Sequence, residues 1–170
     1  MASFIALLRA VNVGGSGKLP MSDIKALCEA TGFTAVRTFI ASGNVVFESD
    51  APEAEVKANL EKTLRAYADK AVGVLVRTSS ELAQILAHNP FPQAAPNKTV
   101  VIFLDRPTPA DALDNLPGRR NEEVRPGHRE LYVYYPEGMG RSKFRVPAAT
   151  QGTARNMNTV AKLVEMTTRT

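Results

Sequence analysis

The residues best suited to bind a ligand lie where an apolar run near the amino terminus ends in a glycine-rich loop. Arg9 interrupts the apolar run, and Lys18 follows a loop that contains Gly14 and Gly15. Glycines let the backbone adopt positive φ angles and approach a ligand closely, while Arg9, Asn12 and Lys18 supply hydrogen-bond donors. These side chains include no general acid, general base or nucleophile. The segment therefore predicts binding of an anionic group rather than catalysis.

The spacing of this loop does not match the P-loop of nucleotide-binding proteins. That motif needs Gly five residues before a Gly-Lys pair, and Ser or Thr after the lysine. Here Asn12 stands at the first position and Leu19 follows Lys18. Asp23, in the first turn of the predicted next helix, would repel a phosphate. ATP hydrolysis is not predicted, and two interpretations stay open: a structural loop, or anion contact by Lys18 and the loop amides.

Two further polar segments complete the predicted binding site. The first is a turn between two β-rich runs, made of residues that tolerate positive φ: Ser42, Gly43 and Asn44. The second is the basic and amide-rich carboxyl-terminal part, with Arg141, Lys143, Arg155, Asn156 and Asn158. Thr153 is predicted to cap the last helix, whose start would then suit an anion. These segments are predicted to form one polar surface with the Arg9 loop; alternatively, Arg155 and the asparagines tie the last helix to the first subdomain.

The excess of positive charge lies near the carboxyl terminus. The chain has a net charge of +4, and residues 138–170 hold six basic residues against one acidic residue, so residues 1–137 sum to −1. A basic stretch attracts phosphates, acidic metabolites or nucleic acid, although a solvated surface is the other explanation. Tyr132 and Tyr134, on one strand face, are either a platform for stacked bases or core residues. The expected partner is an anionic small molecule or nucleic acid, and the oligomeric state is not predicted.

Several classes of protein lack sequence support. A single cysteine excludes an internal disulfide, and the helical spacing around Cys28 predicts a buried thiol. His88 and His128 are far apart in sequence, so neither a metal site nor a cofactor is predicted. No hydrolase motif occurs, which leaves catalysis undecided. No apolar run reaches the roughly 20 residues that span a bilayer, and no secretory signal is found, so we expect a cytoplasmic protein without a membrane partner.

The elements that must position these residues begin with a βαββαβ order. Apolar runs at 4–13 and 72–77 predict the first and last strands, and the runs 35–41 and 45–48 flank the Ser42 turn as a hairpin. Two amphipathic helices lie between them; Ser22 is predicted to cap the first, and Gly32 suits its end. This order packs two helices on one face of an antiparallel sheet, which is the ferredoxin-like arrangement.

The second half of the chain repeats much of this order. A linking helix is predicted after Thr78, with Glu81 completing a capping box. It is followed by a strand at 99–104, a short helix from Thr108 and Pro109, a hairpin of 122–125 with 130–135, and a final helix. This βαββα order lacks at most a final strand. We therefore predict an α+β fold of two tandem ferredoxin-like subdomains with antiparallel sheets, 1–77 and 98–170, joined by 78–97.

Four segments together resemble one bacterial family. They are residues 6–15, 18–21, 38–47 and 153–163, and in combination they resemble the family called domain of unknown function 1697. The resemblance covers nearly the whole chain, and it implies two ferredoxin-like subdomains and no established activity. Members of the family commonly have Trp where this chain has Met157, and Gly where it has Ala10.

Three hypotheses of function follow. The first is a binding module for an anionic ligand, either a phosphorylated metabolite or nucleic acid. The second is an enzyme acting on a small anionic metabolite, with Arg and Lys as electrophilic groups and an unidentified carboxylate as base. The third is a structural or oligomerisation role for the polar motifs. A deep pocket that holds Arg9 or Arg155 beside a buried acid with a shifted pKa would favour the enzyme.

Overall fold

The computed structural model describes residues 2–9, 20–39, 43–68, 72–114, 116–147 and 152–168. These residues form an α+β fold with four α-helices and two four-stranded antiparallel sheets. The predicted α+β class and the predicted antiparallel sheets are confirmed. No helix of the described part is both long and apolar enough to cross a membrane.

The first sheet has its most apolar strand near the centre. Its strands are β1 (Ala2–Leu8), β2 (Thr34–Phe39), β3 (Asn44–Ser49) and β4 (Val74–Thr78), in the order β2-β3-β1-β4. The helices α1 (Met21–Ala30) and α2 (Glu53–Ala68) contribute apolar residues, among them Ile24 and Leu60, to the core on one face of this sheet. Phe33 stacks on Phe47 in that core, with ring centroids 4.3 Å apart. Burial of these apolar groups is the main force that holds the sheet and helices together.

The second sheet has the same relative strand order. Its strands are β5 (Thr99–Phe103), β6 (Glu123–Pro126), β7 (Glu130–Tyr134) and β8 (Thr153–Asn156), in the order β6-β7-β5-β8. Alternate residues of β5 and β7, such as Ile102 and Leu131, form a core with Tyr135 and Phe144 from the following segment. The period of two expected for a strand with one face on a core is therefore seen here.

Three predicted elements differ from the structure, and the predicted cap of α1 is wrong, because Pro20 occupies the N-cap position and Ser22 lies inside the helix. Residues 153–156 form β8 instead of the start of a helix, because they pair with β5, where Ala154 lies opposite Ile102. The final helix, α4 (Met157–Thr168), begins after that strand. Residues 110–114 form turns instead of the short helix predicted after Pro109. In these turns a backbone N–H donates to the carbonyl three residues earlier, as Ala112 does to Pro109. The first strand ends at Leu8, so Arg9 follows β1 rather than interrupting a longer strand.

The helix after β4 begins as predicted. The backbone N–H of Thr78 donates to Glu81 Oε1 at 3.0 Å, and the N–H of Glu81 donates to Thr78 Oγ1 at 3.1 Å. This reciprocal pair is a capping box, which satisfies two amide groups that have no partner inside the helix. It fixes the start of α3 (Ser79–Ala87) directly after the strand.

The chain forms two compact units, and the first of them is built from two separate stretches of the sequence. The first unit contains residues 1–82 and 163–170, and the second contains residues 83–162. The ends of α3 and α4 therefore belong to different units from their beginnings. Within the first unit, Arg37 Nη2 donates to the carbonyl of Met166 in α4. Within the second unit, the Tyr132 hydroxyl donates to the carbonyl of Ile85 in α3 at 2.8 Å.

Candidate functional site

Arg9 lies at one end of the first sheet, beside two glycines. The backbone N–H of Leu8 donates to Gly43 O, and that of Arg9 donates to Gly73 O, both at 2.9 Å. A Cβ atom on Gly73 would lie 2.9 Å from Arg9 Cδ, so the glycine leaves the space that the arginine side chain occupies. The antiparallel pairing of β1 with β3 and β4 thus brings Arg9, Gly43 and Gly73 together.

Asn44 has a structural contact at the same end of the sheet. Its side chain is fully buried, and Nδ2 donates to Phe39 O at 2.9 Å. This bond joins the two strands of the predicted hairpin, whose turn contains Gly43 with a φ of 89°. A buried amide needs such partners, because an unsatisfied polar group inside a protein costs free energy.

The remaining predicted residues of the amino-terminal part lie outside the described residues. They are Asn12, Gly14, Gly15, Lys18 and Ser42. The described portion of the predicted site in the first unit therefore consists of Arg9, Gly43 and Asn44.

Arg155 is buried within β8 of the second unit. It is 6% exposed, and its Nη1 donates to Thr153 Oγ1 at 2.8 Å and to Ala154 O at 2.9 Å. Burial lowers the pKa of its guanidinium to about 10, so the group is charged at neutral pH. A buried cation hydrogen-bonded to its own strand stabilises that strand locally.

The two asparagines that follow differ in environment. Asn156 Oδ1 accepts a hydrogen bond from the N–H of Thr159 at 3.0 Å, which makes Asn156 the side-chain cap of α4. Asn158 is exposed in the first turn of that helix. Arg155 and Asn156 therefore form hydrogen bonds within residues 153–159, whereas Asn158 is exposed.

Lys143 belongs to a basic surface that the sequence did not define. We call it the two-loop basic patch, and it comprises the exposed side chains of Arg119, Arg120, Lys143 and Arg145 on the loops 117–122 and 138–146. The loops pack through their backbones, because the N–H of Arg145 donates to Pro117 O at 2.8 Å. A Cβ atom on Gly118 would lie 2.1 Å from Lys143 O, so only glycine permits this approach.

A pocket of about 120 Å³ lies between these loops. Its lining residues are Arg120, Glu122, Glu137, Gly138, Ser142 and Lys143. The Glu122 carboxylate is buried and accepts hydrogen bonds from the Ser142 hydroxyl at 2.6 Å and from the Arg120 N–H at 2.7 Å. The bond from Ser142 is the main reason that the pKa of Glu122 is lowered. Glu122 therefore holds the two loops together as an ionised carboxylate.

Sequence reasoning missed the part of the patch on the first loop. Arg119 and Arg120 directly follow Pro117 and Gly118. Two adjacent cations after a turn dipeptide indicate a basic surface loop, and this pattern could have identified them. Arg145 was counted in the basic segment but was not predicted as a ligand-binding residue. Arg141 lies in a short 3-10 turn of the second loop.

The positive charge of the chain is concentrated in the unit that carries the patch. Residues 83–162 hold eleven basic and seven acidic residues, so this unit has a net charge of +4 and accounts for the whole surplus of the chain. The first unit is neutral by the same count. An anionic ligand is thus attracted towards the second unit.

The other candidate residues have contacts typical of a core. Tyr132 is buried, and Tyr134 packs against Phe91 with ring centroids 5.9 Å apart, which supports the core interpretation over base stacking. Cys28 is buried, as predicted, and burial raises the pKa of its thiol to about 12. Within the described residues, no group of three or more His, Cys, Asp or Glu side chains could hold a metal ion.

The chain is similar to a protein family and to a solved structure. The model of a family described as "Protein of unknown function (DUF1697)" matches residues 1–132. The chain is also similar to a solved structure, that of the conserved bacterial protein SP0830 from Streptococcus pneumoniae, with a TM-score of 0.81 and 20% sequence identity over 98% of each chain. At this identity the likeness shows a shared fold. No curated protein matches the chain.

Proposed function

Because the chain belongs to the DUF1697 family of proteins of unknown function, its activity must be inferred from the structure, and we propose that it is a binding module for an anionic ligand. The two-loop basic patch is the proposed binding surface. The identical strand orders of the two sheets further support tandem ferredoxin-like subdomains at 1–77 and 98–170, joined by 78–97.

The observation that carries this proposal is the placement of four exposed cations on two loops that hold each other in place. The backbone bond between Arg145 and Pro117 and the shared contacts of Glu122 fix the loops. Fixed loops lose little conformational entropy on binding, so the electrostatic attraction is retained as affinity. Arginine also offers a planar fork of donors that matches phosphate and carboxylate oxygens.

The size of the pocket limits what enters it. Its volume of about 120 Å³ is below the roughly 300–1,000 Å³ of typical small-molecule sites. The pocket lining carries two cations, Arg120 and Lys143, and two acids, Glu122 and Glu137, so these charges offset each other. The anionic group of the ligand is therefore placed on the exposed cations of the patch. A phosphorylated metabolite and a nucleic-acid backbone both present this chemistry.

The test compares two double variants with the same change of charge. Arg120→Gln/Lys143→Gln removes two cations from the patch, whereas Lys25→Gln/Arg65→Gln removes two exposed cations from the helices of the first unit. Binding of a short fluorescent single-stranded DNA is measured by anisotropy, and stabilisation by pyrophosphate is measured by thermal denaturation. We expect the patch variant to lose at least about tenfold in affinity and the control to lose much less.

The salt dependence of binding and the choice of probe distinguish a nucleic acid from a small phosphorylated ligand. Binding of DNA that weakens steeply between about 50 and 200 mM salt indicates nucleic acid, because each neutralised phosphate releases a counterion. Stabilisation by pyrophosphate without DNA binding indicates a small phosphorylated ligand. If neither probe binds, or if the patch variant equals the control with both probes, the proposal is wrong.

The two alternatives have different support. An enzyme needs a base, but the buried acid of the pocket, Glu122, has a lowered pKa and holds the loops, so the pocket favours binding over catalysis. A structural role is favoured for Asn44, Arg155 and Asn156, whose hydrogen bonds described above join parts of this chain.

A further inference from the structure

A larger cavity, with a volume of about 470 Å³, lies in the first unit. Its lining includes Ser3, Arg37, Val46, Glu48 and Thr167, contributed by β1, β2, β3 and α4. The volume lies within the roughly 300–1,000 Å³ range of small-molecule sites. The cavity is distinct from the basic patch, whose residues all belong to the second unit.

The pairing of three strands brings the polar residues to one side of the sheet. Ser3 lies directly opposite Glu48, and Arg37 lies directly opposite Val46. Residues that face each other across antiparallel strands share a face, as do residues two apart along a strand. Ser3, Arg37, Val46 and Glu48 therefore all lie on one face.

A β-bulge lies in the edge strand β2 next to these residues. The register of β2 against β3 shifts between Thr34 and Arg37, and Ala35 within the bulge has a φ of 51°. A bulge bends its strand and redirects the side chains beside it. The bulge thus shapes the part of the cavity that Ala35 lines.

The cavity holds two opposite charges that are not bonded to each other. Arg37 Nη2 donates to the carbonyl of Met166, so this bond engages one N–H group of the guanidinium. The half-buried Glu48 carboxylate makes no side-chain hydrogen bond or ion pair with another described residue. The two charged residues are offset by two positions along the register of β3, which corresponds to about 7 Å.

We propose that this cavity binds a small zwitterion, a free amino acid or dipeptide, with its carboxylate at Arg37 and its ammonium group at Glu48. A half-buried carboxylate with no partner among the described residues is costly, and a ligand ammonium group removes that cost. Val46, on the same face as Arg37 and Glu48, provides an apolar wall for a side chain of the ligand. The hydroxyl groups of Ser3 and Thr167 supply additional polar contacts.

The test uses the full chain and a panel of free L-amino acids and dipeptides. Binding is measured by saturation-transfer NMR and by calorimetry, and each ligand found is measured again as its N-acetyl and its carboxamide form. We expect each blocked form to bind about ten- to hundredfold more weakly, because each loses one charge-assisted contact. Glu48→Gln should cause a similar loss, whereas Glu29→Gln, which removes an exposed carboxylate from α1, should not.

Arg37→Gln also removes the bond to α4, so Glu48→Gln is the decisive variant. It leaves that bond intact, and its fold can be checked by circular dichroism. Equal binding of the free and N-acetylated ligands would show that the site reads only an anion and would overturn the proposal. Absence of binding by every member of the panel at millimolar concentration, or full binding by Glu48→Gln, overturns it as well.

Discussion

At the scale of single residues, buried arginines occupy equivalent positions in the two sheets. Arg77 on β4 lies opposite Ile5, and Arg155 on β8 lies opposite Val101. Each donates to the carbonyl of the residue before it, Arg77 at 3.0 Å and Arg155 at 2.9 Å. Burial of a cation requires such bonds, because desolvation otherwise disfavours the charged form. These arginines therefore have a structural role in both sheets.

The buried thiol of Cys28 gives a prediction at the same scale. Its pKa is raised to about 12, mainly by burial, and the thiolate is the reactive form. We expect the native protein to react very slowly with Ellman's reagent at about pH 8, and the urea-unfolded protein to release one equivalent rapidly. Fast labelling of the native chain would contradict this.

The same shift makes stability depend on pH. The unfolded thiol, with a pKa of 9.0, releases its proton at lower pH than the folded one. The folded state then binds more protons, so stability falls as pH rises above about 9. Cys28→Ala should show a shallower decline in urea unfolding between about pH 8 and 10 than the parent protein.

At the scale of elements, the two helices that follow the last strand of each sheet start with comparable caps. Thr78 and Glu81 form the cap of α3, and the Asn156 side chain forms the cap of α4. Thr78→Ala and Asn156→Ala should each lower the free energy of unfolding by about 1 kcal/mol, since a capped amide loses its partner. Urea unfolding measures the change, with the exposed Ser80→Ala as control. No change in either cap variant would mean that water replaces the cap.

The elements that the sequence predicted well are those defined by local pattern. The hairpin around Gly43 and the capping box at Thr78 depend on residues close in sequence, so turn and cap chemistry identified them. The strand at 153–156 was missed, because it is short and polar and is stabilised by pairing with β5, about 50 residues earlier.

The candidate site shows the same limit. The sequence grouped Arg9 and Gly43 on one predicted polar surface, and in the structure the N–H of Leu8, next to Arg9, donates to Gly43 O. Arg120 and Lys143 share a pocket through a backbone approach at Gly118 and the carboxylate of Glu122. Such an approach between distant loops leaves no periodic pattern in the sequence.

At the scale of the whole molecule, the two sheets resemble each other in the register positions of their arginines as well as in their strand order. Across the first sheet, Arg37, Val46, Ile5 and Arg77 lie in one row. Across the second sheet, Arg125, Tyr132, Val101 and Arg155 lie in the equivalent row. Both rows begin and end with arginine on the edge strands. This equivalence supports the proposed tandem arrangement.

The division of α4 between the two units gives a prediction for the whole chain. Leu163 is fully buried and belongs to the first unit, although α4 begins in the second. Leu163→Ala should lower stability by about 2–5 kcal/mol, because truncation leaves a cavity. It should also weaken amide-exchange protection in the first unit, to which Leu163 belongs. Asn158→Ala, at an exposed position of the same helix, should change stability by less than about 0.5 kcal/mol.

The bulge in β2 also affects how the molecule behaves at high concentration. β2 is an edge strand, and the free N–H and C=O groups of a regular edge can pair with a strand of another chain, which begins aggregation. The register shift between Thr34 and Arg37, with Ala35 in the left-handed region, interrupts that row. Ala35 and the bulge that help to shape the zwitterion cavity therefore also keep this edge from serving as a template for fibrils.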